Sequence, residues 1–385
     1  MSTRFVRALT ALIATAVVVG ATYPLWKRVP APGPVVLKDN TTASESLLRA
    51  RAAEPHPNAP LWEPMDVADV PALYGAPDDE RLADPWTGFA YRPNHARRLV
   101  LPDHPEGAFG KRTNSLGLSQ PEELSPARDF LVLVGGDSHA DGLCDDADTF
   151  AAQSRERLRA LHPDRTIDVA NAAEAGYAFH HYLGLLHKFA ELRPNVYVVA
   201  IYTGNDVMGT VKLRHYFART MPPPHTLEYF KEIRRAQKIS TGAVANALNQ
   251  LLYFRRYPDE LEPSIQNALA LCAELEDFAR ERGIEVLYVA IPACLEASGV
   301  GEAKLAELKR ELALETVWDH FEVVTDRLVA GLRARGNDVT DLREHFSGLR
   351  ERYYWTDLHI NVDGQRLIAE LLAPKLDLAF ARAVR

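Results

Sequence analysis

The chain has 385 residues, 47% hydrophobic and 25% charged, which excludes a disordered protein and fits one large domain with appendages or two smaller domains. A net charge of −8 argues against nucleic-acid binding, which needs a concentrated basic surface. Cys144, Cys272 and Cys294 are too few and too scattered for a disulfide framework, contain no CxxC pair for zinc, and read as buried thiols.

From Ala8 to Trp26 the chain carries no charge, with Arg4 and Arg7 before the run and Lys27 and Arg28 after it. About 20 apolar residues suffice to cross a bilayer, and Tyr23 and Trp26 stand where an aromatic belt would lie. Residues 1–28 therefore read as a signal anchor. A signal peptide cleaved near Val19-Gly20-Ala21 is the competing reading. Both place the rest of the chain outside the cytoplasm, membrane-anchored in the cell envelope or, after cleavage, secreted. Residues 29–84 follow as a proline-rich tether (Pro30, Pro32, Pro34, Pro55, Pro57, Pro60, Pro64), with a short helix expected at Ser44–Ala53. Residues 85–126 read as loops packing onto the domain that follows.

Strands and helices alternate from Asp129 onward. Phe130–Val134, Thr166–Ala170, Asn195–Tyr202 and Ile284–Ile291 are apolar runs of the kind buried on both faces of a parallel sheet, with a short fifth strand at Asp338–Leu342. Helices are expected at Phe150–Leu161, Phe179–Leu192, Ile265–Arg282 (Ser264 as N-cap, Gly283 as stop) and Val317–Arg335. A final helix after Asp363 is expected to bend or break at Pro374. The pattern predicts an α/β fold, a three-layer α/β/α sandwich with a mostly parallel, flavodoxin-like sheet. A helical insertion at about 207–262 interrupts it. Its aromatic residues (Tyr216, Phe217, Tyr229, Phe230, Tyr253, Phe254) suit either an ordinary packed subdomain or a lid over the site.

Sites in such sheets form at the C-terminal ends of strands. The first strand runs into Gly135-Gly136-Asp137-Ser138-His139, the second into Asn171-Ala172-Ala173-Glu174-Ala175-Gly176, and the third into Gly204-Asn205-Asp206. Near the C-terminus stand Asp357 and His359, spaced so that a carboxylate can orient an imidazole. Each block also has a plain structural reading: a helix N-cap at Ser138, a turn glycine at Gly176, an Asx turn at Asn205, a surface loop at Asp357. Their order along the chain is the specific signal.

That order resembles the SGNH hydrolases, the GDSL-type esterases and lipases, over about Pro85 to Ala379. The stretch Thr113–Leu118 also matches one that often precedes the serine block. Two positions depart from the usual pattern: His139 stands where Leu or Ile follows the nucleophile, and the last block is Asp-x-His rather than Asp-x-x-His. The resemblance implies a catalytic Ser138, His359 and Asp357. It further implies an oxyanion hole from the amides of Ser138 and Gly176 and the Asn205 side chain, and supporting roles for Gly136, Asp137, Gly204 and Asp206. It implies hydrolysis of a carboxylic ester through an acyl-enzyme, on a small-molecule, glycan or lipid ester, with no cofactor and no metal. Two alternatives stay open: a membrane-anchored O-acyltransferase acting on an envelope polysaccharide, and an inactive envelope-binding module. An α/β-hydrolase elbow fails because Ala140 replaces its last glycine, and Gly107–Thr113 has glycine spacing too short for a phosphate loop. His180 and His181, adjacent on a helix, diverge and do not pair on a metal.

Overall fold

The computed structural model describes residues 41–54, 56, 59–297, 309–313, 320–346, 349–354 and 356–384. The apolar run Ala8–Trp26 lies outside the described residues. Among those described, no helix is long and apolar enough to cross a membrane.

Two antiparallel hairpins come first, β1 (Arg81–Asp84) with β2 (Gly88–Tyr91) and β3 (Ala96–Val100) with β4 (Ala108–Arg112). The main sheet is built from β5 (Phe130–Gly136), β6 (Ile167–Asn171), β7 (Val196–Tyr202), β8 (Glu285–Ile291) and β9 (Asp338–Asp341). All four pairings are parallel, in the order β6-β5-β7-β8-β9. Renumbered within the sheet, this is the flavodoxin-like order 2-1-3-4-5, with its topological switch beside β5. Every residue of β5, β6 and β7 is buried, because helices cover both faces. The helices Phe150–Leu161 and Val362–Ala383 pack together as one group. Phe179–Phe189, Asp206–Ala218, His320–Ala334 and Leu261–Glu281 form the other, with Leu261–Glu281 at its centre.

Several expectations are corrected. The segment read as a tether is folded onto the domain from Thr41. The helix Thr41–Ala52 forms, and Leu48, Trp62, Met65 and Leu73 are buried in the main core. Of the prolines named above, the described Pro60 and Pro64 do not free the segment, because four large apolar side chains find a surface to cover. The stretch 85–126 is not loop alone, since it contains β2, β3 and β4. Ser264 is not an N-cap: the helix starts at Leu261, accommodates Pro263 in its first turn, and has Ser264 Oγ donating back to the Glu260 carbonyl. The last helix, Val362–Ala383, is not broken at Pro374. Pro374 and Glu370 both sit on its exposed face, so water can satisfy the carbonyl that proline leaves unbonded.

The insertion forms helices at Asp206–Ala218, Leu227–Ile239, Thr241–Ala243 and Asn249–Arg256, with one π-helical turn at Val244–Leu248. Tyr216, Phe217, Tyr229, Tyr253 and Phe254 are buried in the main core, as in an ordinary packed subdomain, while Phe230 is exposed. All three cysteines are buried.

Candidate active site

Ser138 opens a single helical turn, Ser138–Asp141, directly after β5. Asp137 caps that turn, its carboxylate accepting the His139 amide at 2.8 Å. Gly136 belongs to the strand and is required by close approach rather than by an unusual φ. A Cβ there would stand 2.4 Å from Ala140 Cβ and 2.9 Å from the Ala200 carbonyl of β7. The far end of the turn is fixed by Asp141. Its carboxylate accepts from Tyr91, Ser119 and Arg97 and lies 3.3 Å from Lys111 Nζ, all largely buried. The β3–β4 hairpin thus holds the serine turn from behind.

Ser138 Oγ lies 2.8 Å from His359 Nε2, and His359 Nδ1 lies 2.9 Å from Asp357 Oδ2. The three residues expected to form a triad are therefore brought together in one chain of hydrogen bonds. The short Asp-x-His spacing closes because Leu358 adopts a left-handed conformation, φ 66°, a costly one for a buried leucine. The His359 amide then donates to Asp357 Oδ1 at 3.0 Å, so one carboxylate engages both backbone and ring of the same histidine. Burial disfavours the charged forms of both groups. Their mutual attraction and hydrogen bond outweigh it, holding Asp357 below and His359 above their ordinary ranges.

Gly176 and Asn205 follow β6 and β7, the two strands that flank β5, and so stand at the same edge of the sheet as Ser138. Gly176 has φ 93°, which favours glycine. Among the described residues, the amides of Ser138 and Gly176 and the Asn205 side chain make no hydrogen bond, leaving three donors uncommitted. Asp206 is engaged elsewhere through Oδ2, which accepts from the Tyr182 hydroxyl at 2.6 Å and the Tyr202 amide at 2.8 Å. Burial, reinforced by nearby Asp137, raises its pKa well above the carboxylate range, and burial pushes Asp137 up to about 6. Asp206 therefore shapes the turn that carries Asn205.

The sequence did not single out the contribution of the insertion. Asn246, on the π-helical turn and buried, donates Nδ2 to the Asp357 carbonyl and, at 3.1 Å, to the Gly242 carbonyl. Gly242 lies against the Asp357 backbone, and Gly204 lies against the Asn246 carbonyl and the Tyr202 ring. The loop that carries Asp357 is thus wedged between the insertion and the core domain. On the other side, Asp103 accepts from the Thr356 amide and hydroxyl. A lone Asn and a lone Gly in a helical stretch carry no sequence signal, so only the fold could reveal them.

His180 and His181 are both buried and their rings make different contacts. His181 bonds to Tyr74 and to its own helix's first turn, and His180 stacks on Phe217. Among the described residues no group of three potential ligands could hold a metal ion.

No family model matches the chain, and no curated protein matches it. Among solved structures, the chain is similar to the acetyl xylan esterase AlAXEase at 14% identity, covering 64% of this chain and 100% of that one, with a TM-score of 0.38. It is also similar to a lipase/acylhydrolase from Enterococcus faecalis, at 13% identity over 64% of this chain and 95% of that one, TM-score 0.37. A third is a catalytic mutant of an acetylxylan esterase from Geobacillus stearothermophilus, at 13% identity over 66% of this chain and 94% of that one, TM-score 0.34.

Proposed function

We propose that this chain is an SGNH-type serine esterase that hydrolyses carboxylic esters through an acyl-enzyme on Ser138. The observation that carries this reading is the unbroken hydrogen-bond chain from Ser138 Oγ through His359 to Asp357 at the C-terminal edge of the sheet. His359 Nε2 takes the hydroxyl proton as Oγ attacks the ester carbonyl, then gives that proton to the departing alcohol. Water enters by the reverse sequence: His359 removes its proton, hydroxide adds to the acyl carbonyl, and Ser138 leaves with the proton restored. Asp357 keeps the Nδ1 proton in place and stabilises the imidazolium formed in each half-reaction. The amides of Ser138 and Gly176 and the Asn205 side chain receive the oxyanion, a role suited to three neutral donors without other partners.

The substrate reading is an envelope glycan or lipid ester, met outside the cytoplasm by a chain anchored in, or exported across, the membrane. The N-terminal apolar run supports it. The test is release of free acid from nitrophenyl acetate, butyrate and long-chain esters, with and without a sugar acceptor, by the full chain and by Ser138→Ala. Turnover is expected to vanish in the variant. Turnover that survives Ser138→Ala contradicts the reading, and acyl transfer to the sugar in place of acid release would make the chain a transferase.

A further inference from the structure

The residue after the nucleophile is His139, buried and idle in the chemistry above. Its ring stacks on His359, with centroids 4.5 Å and planes 27° apart, and on Tyr202, at 3.6 Å and 17°. Its Nδ1 accepts the Ile360 amide at 3.4 Å, so the serine turn and the histidine loop are joined one residue beyond each reacting group. Its carbonyl accepts Gln365 Nε2 at 2.7 Å, tying the same point to the last helix. No other described ring stacks on His359.

We propose that His139 is a positioning residue for this site: its ring fixes the plane of His359, and its Nδ1 pins the loop that carries it. The proposal rests on the reading of Ser138, His359 and Asp357 as a triad. Burial, with His359 alongside, keeps His139 well below the ordinary imidazole range, so it stays uncharged. A neutral aromatic face attracts a cation stacked on it, and His359 becomes that cation at each proton transfer. The stack therefore aligns the base and also favours its charged form. The titratable groups facing His359 are Asp357 on its own loop, Asp137 and Asp141 around the serine turn, and His139 itself. Tyr202 faces it through His139, and Tyr354 lies near Asp357. The carboxylates are unchanged by substitution at His139, so a shift on replacing it reports the ring.

The experiment measures kcat, KM and the pH profile of kcat/KM on a nitrophenyl ester for the full chain and for His139→Leu, His139→Phe and His139→Asn. His139→Leu removes ring and acceptor, and kcat is expected to fall about ten- to a hundredfold with KM little changed. The acidic limb of the profile should move down by about 0.5–1 pH unit, since the imidazolium loses its partner. His139→Asn keeps an acceptor but no ring and should move the limb likewise. His139→Phe keeps the ring without the acceptor and should restore the limb to its original position. If His139→Leu does not fold, the Phe and Asn pair still decides the matter. An acidic limb that stays put or moves up without the ring overturns the proposal, as does a limb displaced in His139→Phe. Failure of the triad reading is separate: it would appear as turnover surviving Ser138→Ala, whatever the His139 variants do.

Discussion

Gly242 offers a test of how far the insertion governs the chemistry. It lies outside the left-handed region, so backbone conformation does not forbid a side chain. Helix propensity alone would favour Gly242→Ala by about 1 kcal/mol. Space forbids it. The added Cβ would stand 2.4 Å from Asp357 Cα, 2.6 Å from the Thr356 carbonyl oxygen and 2.9 Å from the Asp357 carbonyl carbon. Ordinary contact begins at 3.4 Å, so the two backbones must part by about 1 Å (3.4 − 2.4). All three clashing atoms are backbone, and the loop is held on its other side by Asp103, so no flexible side chain can absorb the strain. A displacement of about 1 Å at a catalytic group costs about 10² in rate, and such overpacking costs about 1–3 kcal/mol in stability. Gly242→Ala is therefore expected to lower kcat for a nitrophenyl ester about a hundredfold, to lower the rate of fluorophosphonate labelling by a similar factor, and to reduce Tm. A variant with kcat within twofold of the parent and an unchanged or raised Tm would refute the reasoning.

Three further outcomes follow from the same geometry. Asn205→Ala removes one uncommitted donor and should lower kcat about 10²–10³-fold while leaving Tm within a few degrees; full turnover would remove Asn205 from the site. The Asp357 partnership holds His359 above its ordinary range. The base is therefore protonated, and kcat/KM lost, as pH falls through a midpoint above about 6.5. Asp357→Asn should lower that midpoint and cut kcat by about 10⁴, whereas an unmoved midpoint would sever the link between the two residues. Asp141→Ala leaves Lys111 and Arg97 without their buried carboxylate and should cost about 3–5 kcal/mol in denaturant unfolding, a loss that a surface pair would not produce.

Much of the fold was legible because the sheet writes itself in apolar runs. Phe130–Gly136 and Val196–Tyr202 are buried throughout, and short apolar runs with β-branched residues suit a strand covered on both faces. The candidate site was legible for a related reason. Ser138, Gly176 and Asn205 each sit where a parallel strand ends, and the left-handed Leu358 lets the Asp-x-His spacing work. Sequence reading failed where long-range packing overrides local preference. Trp62, Met65 and Leu73 lie among prolines with no helical or strand period, yet the core captures them. The bond from Asn246 to Asp357 spans 111 positions and joins two segments with no pattern in common. The stacking of His139 on His359 was hidden in the same way, since the departure from Leu or Ile was visible but its partner was not.

The central claim is that Ser138 carries the acyl group. Rapid quenching of the full chain during turnover of a nitrophenyl ester, followed by mass measurement of its peptides, tests that claim directly. The peptide containing Ser138 is expected to gain the mass of the acyl group, at Ser138 itself, and the adduct is expected to accumulate less in His359→Ala than in the parent. An acyl group found on another residue, or steady turnover with Ser138 never modified in any quench, would contradict it.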